Sequence, residues 1–267
     1  MVERITPIVL KLGGSVVTIK EKPFTPNRPI IKRLVREVLE ANLKSLVVVH
    51  GGGSYGHPIA KEYKIVEGYK TSDQLIGFSK TRQTMMALNK LVVDAFVQNG
   101  LPAVSVQPSA FILTEHGRIV EFNPTIIERL LNLHTIPILY GDAVLDTSLG
   151  FSILSGDQIA SSLAVTLGVR RIIICVDVDG LYTEDPKSNP KAELIKEITL
   201  GGLRRILGNI RDAKTTDVTG GMYGKIVELI PALEKGVEVK IINAKKINRL
   251  YKALKNKEVI GTEIRHR

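Results

Sequence analysis

Two short stretches hold residues whose types and spacing suit phosphate. Lys11-Leu-Gly-Gly-Ser15 closes the first apolar run, and Gly51-Gly-Gly-Ser-Tyr-Gly-His57 closes the second. Glycines at the end of a buried strand let the chain turn tightly and point N–H groups at oxygens. A lysine inside an apolar strand, as at Lys11, is costly unless its amine reaches a counter-charge at the strand's end. Lys20 follows with only Glu21 as a local partner. His57 falls in the first turn of the helix that the second loop opens, within reach of an anion held by the loop amides. Such an anion would favour the protonated imidazole. One loop of this kind suggests a nucleotide site; two suggest a transfer between two phosphorylated ligands.

Three further stretches extend the inventory. Ser155-Gly156-Asp157 makes a glycine turn before a helix, with an acid able to orient neighbouring lysines. Cys175-Val-Asp177-Val-Asp179-Gly180-Leu-Tyr182-Thr-Glu-Asp185-Pro186 is a strand-exit loop dense in acceptors, suited to ribose hydroxyls and metal-associated groups. Asp217-Val-Thr-Gly220-Gly221-Met-Tyr-Gly224-Lys225 again puts glycines before a helix and a lysine in its first turn, without Walker A spacing. Gly51-x-Gly53-x-x-Gly56 fits the dinucleotide fingerprint in letter, but that fingerprint wants an acid ending the next strand. Asp73 lies at that distance and reads as a helix start, so the loop signals an anion at a helix N-terminus more than NAD. No cysteine–histidine cluster and no metal-ligand cluster is evident.

The elements that must position these loops alternate along the chain. Apolar runs at 7–12, 45–50, 103–106, 135–140, 171–176 and 237–242 read as parallel strands covered on both faces. Helices are expected at 28–42, 55–63, 73–98, 124–132, 157–167, 199–208, 222–235 and 246–254. Leu34, Val38 and Ala41 carry helical spacing, and Gly100 and Gly168 stand where C-terminal caps do. Two stretches break the rhythm as hairpins, 111–121 turning at His116-Gly117 and 143–153 turning near Ser148–Gly150. The pattern predicts an α/β fold with helices on both sides of a mainly parallel sheet.

Bulk properties narrow the class. A chain of 267 residues with 44% hydrophobic content can bury one large core or two lobes sharing a sheet. No apolar run approaches the roughly 20 residues that span a bilayer, and the first residues lack a signal peptide's pattern. No membrane association is expected, and the cytoplasm is the expected location. Cys175 lies in an apolar strand and reads as packing. The net charge of +10 raises nucleic-acid binding, but the basic residues are dispersed, which suits anionic small ligands instead. A non-catalytic nucleotide- or nucleic-acid-binding protein is the alternative of a different class.

Taken together, Lys11-x-Gly-Gly-Ser15, His50-Gly-Gly-Gly53, Ser155-Gly-Asp157, Asp177-x-Asp-Gly-Leu-Tyr182 and Gly220-Gly-Met-x-x-Lys225 resemble the amino acid kinase superfamily. His57 and Lys20 make the chain most similar to the isopentenyl phosphate kinases; fosfomycin kinases are similar in carrying a histidine there. The resemblance implies an open αβα sandwich with a mainly parallel central sheet plus inserted β-hairpins, usually as a homodimer. It implies an acceptor-binding lobe over 1–168 and an ATP-binding lobe over 169–267. Lys11, Gly13, Gly14, Ser15 and Gly53 would meet ATP phosphates, with Mg2+ beside them. Asp177, Asp179, Tyr182, Asp185, Gly221 and Lys225 would line the nucleotide site. Gly52, Gly53, His57 and Gly156 would hold the acceptor phosphate, Asp157 would orient the lysines, and Lys20 would stabilise the transition state. Leu75, Ile76, Phe78, Met85, Met86 and Leu88 of the 73–98 helix read mostly as core, and a few near its start could wall a short hydrocarbon pocket for an acceptor tail, with hairpin residues such as Ile153 opposite. Another small-monophosphate or phosphonate kinase of the superfamily is the sister reading.

Overall fold

The computed structural model describes residues 6–184, 186, 189–212 and 222–267. In chain order the elements run β1 (Ile8–Leu12), α1 (Gly14–Val17), α2 (Arg28–Ala41), β2 (Leu46–His50), α3 (Gly53–Glu62), α4 (Asp73–Gln98) and β3 (Ala103–Ser105). Next come β4 (Ile112–Glu115), β5 (Arg118–Phe122), α5 (Thr125–Asn132), β6 (Ile136–Tyr140), β7 (Asp142–Asp146), β8 (Gly150–Leu154) and α6 (Gly156–Leu167). The remainder is β9 (Arg171–Val176), β10 (Leu181–Tyr182), β11 (Leu194–Ile195), β12 (Glu197–Thr199), α7 (Leu200–Asp212), α8 (Met222–Glu234), β13 (Glu238–Asn243), α9 (Arg249–Leu254) and β14 (Gly261–Arg265).

The main sheet has the order β12-β14-β13-β9-β1-β2-β6-β3. Strands from β13 to β3 are parallel; β14 runs antiparallel to β13, and β12 pairs parallel with β14 at the edge. Period-two alternation sends successive side chains to opposite faces. Val9, Ile172 and Ile174 pack with Ile159 and Leu163 of α6 and Ile226 and Leu229 of α8. Leu10, Ile173 and Cys175 pack on the other face with Leu34 of α2, Val92 of α4 and Leu250 of α9. Both faces are covered, as expected for the αβα sandwich. Each such aliphatic side chain contributes about 1.5–3 kcal/mol. Register then places the site: Leu12 is level with His50 on one side and Cys175 on the other. The loops after β1, β2 and β9 therefore emerge together at the carboxyl edge, where β1 separates earlier strands from later ones. Such switch points are where open α/β sheets bind ligands.

The two expected hairpins form, and they join through a β4–β7 pairing into a separate sheet of order β5-β4-β7-β8. Asp146 pins both turns: its carboxylate accepts from the Gly117 and Leu149 amides at 2.8 Å each and from the Thr114 hydroxyl at 2.8 Å. Some elements depart from the sequence expectation. A four-residue helix, α1, starts directly at Gly14, and α3 starts at Gly53 rather than at residue 55. The last helix starts at Arg249 rather than at 246, because Asn248 sits in the left-handed region at φ 62° and interrupts helical geometry before it. β10, β11, β12 and β14 carry too few apolar residues to announce themselves.

Candidate active site

Lys11 points to the α6 face of the sheet by the same alternation that buries Val9 there. It is 1% exposed, and its Nζ lies 2.6 Å from Asp157 Oδ1 in the first turn of α6. Lys225, in the first turn of α8, meets the other oxygen of Asp157 at 3.1 Å. One buried carboxylate thus holds two ammonium groups. Burial lowers the Lys11 pKa, with Asp157 opposing and Lys225 adding to that shift. Burial acts to raise Asp157, but the two lysines win and hold it below the usual carboxylate range.

The glycine loops interlock above this triad. A Cβ on Gly14 would stand 2.4 Å from the Gly53 nitrogen, and Gly53 itself has φ +48°. Only glycine at both positions lets the two backbones approach so closely. Ser15 donates to Asp177 Oδ1 at 2.9 Å, tying the first loop to the loop after β9. Ser155 caps α6, accepting from the Gln158 amide at 3.1 Å, so Gly156 and Asp157 begin the helix at the cavity floor. Helix starts of this kind present unpaired amides to anions.

One cavity of about 670 Å³ joins these parts. Lys11, Gly14, Ser15, Lys20, Gly52 and Gly53 line it, as do His57, Gly156, Asp157, Asp177, Tyr182 and Lys225. His57 is exposed, and its pKa is lowered by partial burial and by the positive charges of Lys225 and Lys20. Those residues come from separate segments of the chain, and the fold brings them together. Two candidates do not line the cavity. Gly13 is buried, and its amide donates to the Cys175 carbonyl at 2.8 Å. Asp179 turns away, held by Asn243 at 2.8 Å and Arg249 at 2.7 Å. Asp185 and Gly221 lie outside the described residues.

The cavity continues into an apolar end between α3, α4 and β8, where Ala60, Met85 and Ile153 line it. Leu75 and Ile76 stand 48% and 57% exposed and do not line it, while Leu88 is core. Phe78 stacks on Phe151 at 5.2 Å behind the wall. The wall comes from the third and fourth turns of α4, with Thr81 beside Met85, because α3 crosses there: a Cβ on Gly56 would touch Met85 Sδ at 2.9 Å. Gly141 and Asp142 also line the cavity, and no motif in the sequence marks them. The available signal was positional, since Gly141 closes the β6 apolar run as Gly51 closes that of β2. Among the described residues no group of three or more His, Cys, Asp or Glu could hold a metal by itself. Among the described residues no helix is long and apolar enough to cross a membrane.

A covered parallel sheet, two interlocked glycine loops at its carboxyl edge and a lysine–aspartate–lysine triad beneath them define an amino acid kinase-type protein. The amino acid kinase family model matches residues 6–243, and the chain belongs to that family. It is 43% identical to an isopentenyl phosphate kinase of Methanothermobacter thermautotrophicus, over 96% of this chain and 98% of the relative. Identity to an isopentenyl phosphate kinase of Methanocaldococcus jannaschii is 34%, over 96% of this chain and 97% of that protein. A solved isopentenyl phosphate kinase structure superposes with a TM-score of 0.84 at 40% identity, covering 96% of this chain and 99% of that one.

Proposed function

We propose that this protein transfers the γ-phosphoryl group of ATP to isopentenyl phosphate, giving isopentenyl diphosphate and ADP. The observation that carries the reading is the single cavity in which two phosphate-ready loops meet Lys11, Asp157 and Lys225 and which ends in the apolar wall of Met85 and Ile153. An acceptor monophosphate has a second pKa of about 6, so a terminal oxygen is already ionised and no general base is required. That oxygen attacks the γ-phosphorus, the bond to the β,γ-bridging oxygen breaks, and the electron pair leaves on ADP. The obstacle is repulsion between anions, so catalysis reduces to in-line positioning and charge neutralisation.

The residues divide that work. His57 and the amides at Gly52, Gly53 and Gly156 seat the acceptor phosphate. Lys11, anchored by Asp157, and Lys20 face the transferring group. Ser15, Asp177, Tyr182 and Lys225 serve the nucleotide side. Mg2+ fits this donor set as an ion carried on the nucleotide phosphates, since Asp157 is engaged by two lysines and Asp177 by Ser15. It would neutralise phosphate charge there.

The reading assigns the acceptor to residues 1–168 and ATP to 169–267, and places the activity in cytoplasmic isoprene biosynthesis, in a mevalonate pathway. Assembly as a homodimer follows from the family resemblance, and sedimentation velocity tests it directly. A coupled ADP-release assay comparing isopentenyl phosphate, fosfomycin and UMP tests the substrate. Isopentenyl phosphate is expected to give the highest kcat/KM; no preference for it would overturn the assignment.

A further inference from the structure

Thr18 occupies a place the chemistry above does not use. It is 1% exposed, just beyond α1, and its hydroxyl touches both glycine loops. Oγ1 donates to the Gly14 carbonyl at 2.7 Å and accepts from the Ser54 amide at 3.0 Å. A Cβ on Gly53 would fall 2.1 Å from that oxygen, so the second loop is moulded around it. Ser54 continues the connection. Its carbonyl accepts from the Phe24 amide at 3.0 Å, and its hydroxyl donates to the Thr25 carbonyl at 3.4 Å. The 18–26 segment, closed by a Thr18–Pro26 bridge, is the one that carries Lys20.

We propose that Thr18 is a positioning residue: its hydroxyl sets the separation between the donor and acceptor loops and the placement of Lys20 against both. The proposal rests on the phosphoryl-transfer reading. A threonine is suited to this because one hydroxyl donates and accepts at once. Gly14 O also receives the Thr18 amide at 2.9 Å, so removing the hydroxyl leaves that carbonyl satisfied and orphans only the Ser54 N–H. The expected defect is therefore a loosened spacing between loops that are each still formed. Misplacement of reacting groups by about 1 Å costs on the order of a hundredfold in rate.

The test is Thr18→Val, which keeps the shape and removes the hydroxyl. Turnover with isopentenyl phosphate is expected to fall roughly 10- to 100-fold. Affinity for ATP alone and for isopentenyl phosphate alone, measured by calorimetry, should change less than about twofold. Affinity for a bisubstrate analogue, an adenosine oligophosphate ester of isopentenol that spans both loops, should fall roughly tenfold. If Thr18→Val does not fold, Thr18→Ser and Thr18→Ala form a second pair that lose the same methyl and differ in the hydroxyl. Serine should then restore turnover and analogue affinity, and alanine should not. Unchanged turnover and analogue affinity in Thr18→Val would overturn the proposal, as would a variant whose only defect is a lower melting temperature. Wild-type protein that neither turns over isopentenyl phosphate nor holds the analogue more tightly than ATP would overturn both this and the functional reading.

Discussion

Asp157 shows how much one side chain organises. Removing one partner from a buried ion pair costs about 3–5 kcal/mol, because the other charge is left without compensation. Asp157→Asn should therefore lower stability by about 3 kcal/mol in urea titration and abolish turnover, since Lys11 would favour its neutral form. His57 stands at the opposite extreme. It is exposed, so His57→Ala should shift the melting temperature by no more than about 2 °C. Turnover should nevertheless fall by about 10²–10³, the loss typical of one removed anion-stabilising donor. The sign of its pH dependence follows from its surroundings. Burial, Lys225 and Lys20 lower the pKa of the free histidine and so favour its neutral form. An acceptor phosphate favours the charged form, so binding should draw in a proton, and His57-dependent affinity should weaken as pH rises through the bound-state pKa. Calorimetry at pH 7 in buffers of different ionisation enthalpy checks this. Less proton uptake is expected with His57→Gln.

At the scale of elements, glycines decide how closely helices and loops approach. A methyl at Gly14 would meet the Gly53 backbone at 2.4 Å, and backbone cannot step aside as a side-chain tip can. Gly14→Ala should cut turnover by at least about a hundredfold by parting the loops. Gly77 gives the contrast. Its added Cβ would meet Tyr63 Cβ at 2.2 Å where α4 crosses the end of α3, away from the phosphate loops. Gly77→Ala should destabilise by about 1–3 kcal/mol through overpacking, with a smaller loss of turnover in the molecules that remain folded. The ratio of kcat to folded fraction separates the two outcomes.

For the whole molecule the relevant quantity is net charge. A protein carrying +10 attracts anionic ligands, and salt screens that attraction over about 8 Å at physiological ionic strength. The value of kcat/KM for the acceptor should fall several-fold between 0.05 and about 0.5 M salt while kcat changes little, because steering acts on encounter. Stopped-flow or steady-state measurements across ionic strength check this. A kcat that falls in parallel would locate the effect in the site itself. The same scale explains why loops far apart in sequence share one cavity. Parallel pairing of β1 with both β2 and β9 leaves three carboxyl ends level, and no local feature of the chain encodes that register.

By itself the sequence determined the local chemistry: a lysine in an apolar strand, glycines closing β1 and β2, and an acid at the start of α6. These were legible because each breaks a strong local rule, and a broken rule marks a place where something else compensates. The hairpin turns at His116-Gly117 and Ser148–Gly150 were legible for the same reason. The tertiary structure alone decided which partners meet. Lys11 and Lys225 converge on Asp157 because α6 and α8 pack on one face of the sheet. Asp179 leaves the cavity because β13 and α9 bring Asn243 and Arg249 to it, although Asp177 two residues earlier stays. Met85 and Ile153 become a wall where Leu75 and Ile76 do not, because helix crossing rather than periodicity sets which turn faces the site. Thr18 carries no motif at all. Its place between the loops arises only when α1 and the start of α3 are packed together, since a hydrogen bond is defined by position in space and not by spacing along the chain.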